Sequence, residues 1–282
     1  MSEKPKLIPR TKEEWHQHDL ALIESYRPMD DDFMRELFRN NLPLARRVIE
    51  IITGITDLEL TYSETQYDLN RLLGSRSICL DVLGIGKDGT LYNFEVQRSD
   101  AGATPKRARY HSSALDVEFF TSGEKFDLLP ISYVIFITEK DVLGDGKLIY
   151  EIDRTIKGLD RPFDDGSHII FVNGAYNDPD DTSDLAKLVH DFRCTRADDM
   201  YIKELADVTR QQKETEKGVS DLCEKIEYMR ELAMAQGKEE GEISGALKTL
   251  INLVKDGLIS VSEGAKRANM SVAEFEAKLA QA

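Results

Sequence analysis

Apolar residues change their spacing several times along the chain, and each spacing predicts a different kind of element. Over residues 31–54 they recur every three or four positions, which predicts helix that is interrupted near Pro43 and ends at Gly54. Residues 58–65 alternate between apolar and polar and predict a strand. Nearly every residue of 130–138 is apolar or aromatic, which is typical of a strand buried on both faces.

Three further segments in the middle of the chain complete the prediction. Residues 103–120 predict a helix, and 148–152 and 168–173 predict two shorter strands. Helices and strands therefore alternate along the chain. This order predicts an α/β fold with a mixed central sheet flanked by helices.

The two ends of the chain differ from this middle part. Residues 1–28 are polar and predict a mobile lead-in with one short helix at 15–25. The pattern towards the C-terminus is helical, and the highly charged stretch 199–241 predicts an arm outside the core. We therefore divide the chain into the lead-in, a core domain (29–200) and a charged helical C-terminal extension (201–282).

Two strand-like segments, 77–85 and 90–97, flank the loop GKDG (86–89) and predict a β-hairpin. A two-residue loop would place Asp81 and Glu95 on different faces of the hairpin. A three-residue loop, with its last glycine in the left-handed conformation, places them directly opposite each other. The apolar face of the hairpin is continuous only in this second register, so we predict the three-residue loop.

The alternation of side chains then gathers polar residues on one face of the hairpin. Glu95 and Gln97 share that face of their strand, and Asp81 lies across from Glu95. Two carboxylates roughly 5 Å apart repel each other unless a cation lies between them, and Mg²⁺ prefers such oxygen ligands. Spacing alone leaves a second interpretation open, in which both acids are solvated on an open sheet face.

Composition narrows the class of protein. Apolar residues make up 41% of the 282 residues, which is enough for a packed core. The three cysteines, Cys79, Cys194 and Cys223, have neither disulfide nor zinc-ligand spacing. Neither a membrane-length apolar run nor a basic leader occurs, so we expect a cytoplasmic protein that does not enter a membrane.

Charge is the first property that bears on a nucleic-acid partner. The formal net charge of −15 opposes phosphate binding, but it is unevenly spread. Residues 139–184 hold 12 acidic and 5 basic residues, whereas residues 71–111 hold 4 acidic and 7 basic ones. A local basic surface of this kind is compatible with contacts to the DNA backbone. The seven basic residues are Arg71, Arg76, Lys87, Arg98, Lys106, Arg107 and Arg109.

Four sequence pieces occur in a familiar order from about residue 31 to 138. They are Asp31-x-x-Met34-Arg35-x-Leu37-Phe38, the strand pair with Asp81-Val82 and Glu95-Val96-Gln97, Arg107-x-Arg109-Tyr110, and the stretch GEKFDLLPISYVIFI (123–137). In this order they resemble the PD-(D/E)XK nuclease superfamily. Within it, the chain resembles the bacterial group of recombination-promoting nucleases and transposases, and the likeness extends loosely to about residue 200.

The resemblance implies a restriction-endonuclease-like core and Mg²⁺-dependent cleavage of DNA, with Mn²⁺ as an alternative ion. By position, Asp81 and Glu95 would hold the metal together with the Val96 carbonyl, and Gln97 would complete the catalytic set. Most of the superfamily has lysine where this chain has Gln97, although the group it resembles also uses glutamine. An amide cannot usefully give up a proton, so we expect Gln97 to orient the attacking water or a phosphate oxygen.

The same resemblance implies a DNA-binding surface. Arg107, Arg109 and Tyr110 would face the DNA backbone, and Asp31 would support the metal site. His111 follows this motif, so a contact with phosphate is one interpretation of it, and we favour the other, an ordinary surface histidine.

Other signals in the sequence carry less weight. Gly84-x-Gly86-x-x-Gly89 matches the dinucleotide-binding string, but a strand rather than a helix is predicted after it, so we interpret these glycines as turn residues. Residues 262–275 have helix-turn-helix spacing with Asn269 at the turn. Glu274 and Glu276 in the second helix would repel DNA, which favours a docking or homo-oligomerisation element.

Two hypotheses about function follow from the sequence. The first is a metal-dependent DNA endonuclease, which the intact pair of Asp81 and Glu95 favours. The second is a nuclease-fold module that binds DNA or assembles without turnover. An acyl-transfer or nucleotide enzyme has no supporting motif.

Overall fold

The structure is a computed structural model that describes residues 11–69, 78–98 and 103–282. Residues 1–10 of the predicted lead-in lie outside these ranges, as do Arg71 and Arg76 of the basic stretch. The chain divides into two compact units, Met1–Ser220 and Asp221–Ala282. Every candidate site residue belongs to the first unit.

Six strands in the described ranges of the first unit form one mixed sheet. They are β1 (Leu60–Leu69), β2 (Ile78–Gly86), β3 (Leu91–Gln97), β4 (Ser132–Thr138), β5 (Ile149–Ile152) and β8 (Ser167–Asn173). Two short strands, β6 (Thr155–Ile156) and β7 (Arg161–Pro162), lie between β5 and β8 along the chain. Their order in the sheet is β1-β2-β3-β4-β8-β5. β1, β2 and β3 are antiparallel, β4 and β8 run parallel to β3, and β5 is antiparallel to β8. The remaining pair, β6 and β7, forms a separate ribbon that the sequence pattern did not predict.

Six α-helices lie wholly within the described part of the first unit. They are α1 (Lys12–Ser25), α2 (Asp31–Phe38), α3 (Leu42–Thr53), α4 (Pro105–Phe119), α5 (Asp184–Asp191) and α6 (Lys203–Glu214). The predicted interruption of the first long helix is confirmed, because α2 and α3 are separated by Asn40 in the left-handed conformation. Gly54 ends α3 with a φ of 70°, as its position predicts.

Helices cover the sheet on both faces. Phe38 of α2 packs edge-to-face against Phe94 of β3. Leu115 of α4 belongs to an apolar cluster that includes Leu83 of β2. Phe94 pairs with Val82, so Leu83 points to the opposite face from Phe94. The predicted α/β fold with a mixed sheet flanked by helices is therefore confirmed.

The position of α6 shows that the prediction of an arm outside the core is wrong for this part of the chain. The charged stretch 199–241 predicts an arm outside the core, yet α6 packs against α2 and α3, with Leu205 and Thr209 almost completely buried. The physical reason is that the few apolar and small residues of α6 lie on one helix face, while the charges occupy the other.

The hairpin of β2 and β3 has the predicted register. The Gly86 amide donates to the Thr90 carbonyl at 2.8 Å, and Gly89 has a φ of +86°. Val82 pairs with Phe94, which places Asp81 opposite Glu95. The three-residue loop is confirmed.

The interpretation of the three glycines as turn residues is wrong for Gly84. It lies inside β2, where a Cβ atom would come within 3.3 Å of Cδ1 of Ile49 and 3.6 Å of Cδ2 of Leu60. The absence of a side chain lets α3 approach the sheet closely. β3 begins at Leu91, two residues after Gly89, so the glycine string lacks the helix that a dinucleotide site needs.

Substitutions at Gly89 test how strongly this turn depends on glycine. We expect Gly89→Ala to lower the free energy of unfolding by about 1 kcal/mol, because its positive φ disfavours a Cβ although the surrounding space is open. Gly89→Asn should cost less, since asparagine tolerates the left-handed conformation. Urea denaturation of both variants measures the difference. A larger loss for Asn than for Ala would contradict the prediction.

The second unit is helical. It contains most of α7 (Glu216–Lys255), together with α8 (Val261–Arg267) and α9 (Val272–Gln281). Ile251, Ala265 and Phe275 form its small core. Asn269 has a φ of 52° between α8 and α9, so the predicted helix–turn–helix arrangement is confirmed, whereas its role in docking or homo-oligomerisation stays a prediction. None of the helices in the described ranges has the length and apolarity needed to cross a membrane.

Candidate active site

Asp81 of β2 and Glu95 of β3 form a buried pair of carboxylates across the hairpin. The Asp81 amide donates to Oε1 of Glu95 at 3.2 Å, and the Val96 amide donates to Oδ2 of Asp81 at 3.2 Å. Each strand therefore binds the carboxylate of the other strand. Asp81 is 9% exposed and Glu95 is fully buried, so the second interpretation, two solvated acids on an open face, is wrong.

The electrostatics of this pair are unfavourable for two negative charges. Burial is the main cause that raises the pKa of Asp81. Burial, followed by the charge of Asp81, also raises the pKa of Glu95. Oε2 of Glu95 is buried without a hydrogen-bond partner among the described residues. A cation at this oxygen would satisfy it and lower the repulsion between the carboxylates.

Two arginines approach the pair from the two sides of the sheet. Nη2 of Arg107 on α4 lies 3.5 Å from Oε2 of Glu95. Nη2 of Arg35 on α2 lies 3.9 Å from Oδ1 of Asp81. Thr104 fixes the start of α4, because its side-chain oxygen accepts the Arg107 amide at 3.2 Å. The hairpin, α2 and α4 together therefore build the site.

Asp31 and Gln97 line a cavity of about 570 Å³, whose lining does not include Asp81 or Glu95. Burial is the largest cause that raises the pKa of Asp31, and its charge in turn helps to raise the pKa of Asp81. Gln97 ends β3, where its carbonyl accepts the Glu139 amide at 2.9 Å. Both predicted residues thus lie near the pair, Gln97 on the same strand as Glu95 and Asp31 at the start of α2.

The structure separates the three residues that were predicted to face DNA. Arg107 is half-buried beside Glu95, whereas Arg109 is exposed and Tyr110 is 38% exposed. Two other basic residues of the stretch are engaged in ion pairs, Lys87 with Glu59 and Arg98 with Asp30 and Glu139. The described part of the basic stretch is therefore less available for DNA than its sequence suggests.

Sequence reasoning missed three residues of the site: Arg35, Asn93 and His111. The prediction that His111 is a surface histidine is wrong, since it is 2% exposed and lies between Arg107 and Asn93. Two signals could have indicated Asn93 and His111. Asn93 shares a strand face with Glu95, and Arg107 and His111 are four residues apart on α4.

A second group of potential metal ligands lies far along the chain from the hairpin. Among the described residues, the ligand atoms of His190, Asp191 and Cys194 lie within 4.8 Å of one another. The Asp191 carboxylate already accepts the amides of Tyr201 and Ile202, with the shortest contact at 2.6 Å. Burial raises the pKa of Cys194 to about 11, which keeps its thiol protonated. The contacts of this group join α5 to the start of α6. Its donor atoms do not identify Mg²⁺ as a ligand.

Comparison of the chain with protein-family models, with curated proteins and with solved structures finds no match. The likeness to PD-(D/E)XK nucleases therefore rests on the residues quoted above. The fold is established as α/β with a mixed sheet, without assignment to a family.

Proposed function

We propose that this chain is a Mg²⁺-dependent DNA endonuclease of the recombination-promoting type, which hydrolyses phosphodiester bonds. One observation carries the proposal: two carboxylates face each other in a buried position, and one of their oxygens lacks a partner. Buried charges of like sign are costly unless a cation compensates them. Such a pair is typical of a metal-binding site.

The topology supports this assignment. A helical segment (α2 and α3) precedes three antiparallel strands, α4 follows, and β4 returns parallel to β3. The sequence motifs that resemble those of a restriction-endonuclease-like core lie on these elements in the same order. We infer that the first unit has such a core, with the metal-binding hairpin at its centre.

The donor set fits a hard divalent cation. Asp81 and Glu95 offer carboxylate oxygens, and the Val96 carbonyl is the proposed third protein ligand, while sulfur and imidazole donors are not needed. Mg²⁺ at this position makes an attacking water more acidic and stabilises the charge of the phosphate. Mn²⁺ accepts the same donors and is the alternative ion.

The surrounding residues have distinct proposed roles. Gln97 orients the attacking water or a phosphate oxygen by hydrogen bonding. Arg107 offers a guanidinium beside the carboxylates and so binds the scissile phosphate. Arg109 and Tyr110 contact the DNA backbone further out, and Asp31 supports the metal site from α2.

Plasmid nicking tests the proposal directly. Supercoiled plasmid is incubated with Mg²⁺ and either the wild-type chain or Asp81→Ala. We expect nicking by the wild type only, and its loss on chelation of the metal. Equal nicking by both proteins would indicate a contaminant, and no nicking by the wild type under any divalent ion would overturn the proposed activity.

Gln97→Ala separates orientation from metal binding. We expect turnover to fall roughly 10- to 100-fold, because one hydrogen bond that orients the reacting groups is lost. The affinity for Mn²⁺, measured by titration calorimetry, should change less than about twofold. Loss of Mn²⁺ binding in this variant would mean that Gln97 holds the metal and does not orient water.

A nuclease-fold module without turnover is the second candidate. The observation that favours it is the presence of Arg35 and Arg107, which offset part of the charge of the carboxylates without any metal. Such a module would bind DNA or assemble but would not nick plasmid. Calorimetry with Mn²⁺ distinguishes the candidates further, since charge compensation by arginine alone predicts no saturable metal binding.

A further inference from the structure

His111 occupies a buried position between three residues of the candidate site. Nε of Arg107 lies 3.3 Å from Nε2 of His111. On the other side of the ring, Nδ1 lies 3.3 Å from the side-chain amide of Asn93 and 3.6 Å from Oε1 of Glu95. The ring also contacts Phe136 edge-on. Both nitrogens of the imidazole are therefore directed at polar groups.

The contact with Arg107 fixes the tautomer of the histidine. A guanidinium has donors only, so Nε2 of His111 must accept the Nε–H of Arg107. An imidazole nitrogen that accepts a hydrogen bond carries no proton, so the ring is neutral. A neutral imidazole carries one proton, which must then reside on Nδ1.

The proton on Nδ1 points towards Glu95. The acceptor nearest to this proton is Oε1 of the Glu95 carboxylate, 3.6 Å from Nδ1. The Asn93 side chain also forms a hydrogen bond to Glu95, and its amide group is the donor because a carboxylate only accepts. His111 therefore joins Arg107 on one side to the Glu95 side of the hairpin on the other.

The tether to His111 has a consequence for Oε2 of Glu95. Arg107 is held by its Nε, and its Nη2 stays 3.5 Å from Oε2 without forming a hydrogen bond there. A guanidinium that was free to move would close this gap and form a direct ion pair with the carboxylate. It would then compete with a cation for the same oxygen.

We propose that His111 is a positioning residue that holds Arg107 away from full contact with Glu95 and so keeps Oε2 available for the divalent cation. The inference rests on the proposed function and deepens it. It gives the buried histidine a role through Arg107 and not through contact with DNA or metal.

Calorimetric titration with Mn²⁺ tests this role in the full-length chain. His111→Leu retains a packing side chain but loses the tether, and we expect its affinity for Mn²⁺ to fall at least about tenfold. His111→Gln can still accept a hydrogen bond near the position of Nε2, and its affinity should stay within about threefold of the wild type. His111→Asn, whose amide lies nearer to Nδ1, should resemble His111→Leu.

Arg107→Gln is the control that distinguishes a positioning role of His111 from a merely structural one. Removal of the competing cation should leave the affinity for Mn²⁺ equal to or higher than that of the wild type. His111→Leu added to Arg107→Gln should then cause no further loss, because the two residues act as one unit. A full loss in this background would overturn the inference, as would wild-type affinity in His111→Leu alone.

Two further results complete the test. If His111→Leu does not fold, the comparison of Gln with Asn at the same position decides, and equal affinities would overturn the inference. A wild-type chain that neither binds Mn²⁺ nor nicks plasmid would overturn the proposed function and this inference with it. Binding and nicking by the wild type, together with unchanged affinity in the His111 variants, would overturn this inference alone.

Discussion

Asp81→Asn is expected to abolish Mg²⁺-dependent nicking and at the same time to stabilise the metal-free protein. Loss of one of two carboxylate ligands should lower the nicking rate at least about 10³-fold, because a bound metal contributes several kcal/mol to the transition state. The amide oxygen of asparagine can still accept the Val96 amide. Nicking assays at saturating DNA and urea denaturation with a chelator measure the two effects.

The gain in stability follows from the raised pKa of Asp81. Burial makes the ionised form of this group unfavourable in the folded protein, so a neutral amide relieves a cost of roughly 1–3 kcal/mol near pH 8. The weak contact with Arg35 at 3.9 Å is lost and offsets part of the gain. Opposite changes in activity and stability are the signature of a functional residue that strains the fold.

Asp127→Asn is the matched control. Asp127 is exposed and precedes β4, whereas Glu95 and Gln97 pair with the C-terminal half of β4. We expect this variant to change neither nicking nor stability. If Asp81→Asn were inactive and also less stable than the wild type, Asp81 would be a structural residue and the proposed site would be wrong.

The geometry of the hairpin could be predicted from the sequence because it depends on local rules. A single glycine in the left-handed conformation selects the loop length, and the alternation along two strands then sets which side chains share a face. Gly89, Asp81 and Glu95 therefore suffice to predict the carboxylate pair. The burial of the pair could not be predicted in this way, since it depends on helices that approach from both sides.

The partners of the pair are tertiary features that no local pattern reveals. Arg107 was predicted to face DNA, and only the packing of α4 on the sheet shows that it lies beside Glu95. His111 and Arg35 depend in the same way on where α4 and α2 meet the hairpin. Gly84 was misinterpreted because a glycine that admits a neighbouring helix has the same letter as a glycine in a turn.

The free energy of unfolding of the metal-free protein is expected to fall as the pH rises above about 6.5, by roughly 2 kcal/mol up to pH 8. Burial and the charge of Asp81 raise the pKa of Glu95 to about 8 in the folded chain. The folded protein therefore binds more protons than the unfolded chain in this range. The stabilising contribution is complete below about pH 4, where the unfolded carboxyl titrates, and is lost as the pH rises through the folded pKa.

His111 has the opposite effect on the pH dependence of the free energy of unfolding from that of Glu95. It therefore sets the lower limit of the pH range in which stability is expected to fall. Burial and then the charge of Arg107 lower its pKa to about 4 in the folded protein, so its contribution to stability grows between about pH 4 and 6.5 and is constant above that. Above pH 6.5 the slope therefore reports the carboxylates. Denaturation series of the wild type and Glu95→Gln, each with chelator, should show this slope in the wild type and a flatter curve in the variant.

Added Mg²⁺ should reverse the sign of the slope in the wild type. The cation binds the ionised pair and competes with protons, so metal-dependent stabilisation grows as the pH rises. Glu95→Gln should show little stabilisation by Mg²⁺ at any pH. A wild-type curve that falls equally with chelator and with Mg²⁺ would mean that the carboxylates are buried for another reason, and it would favour charge compensation by Arg35 and Arg107 in a module without turnover.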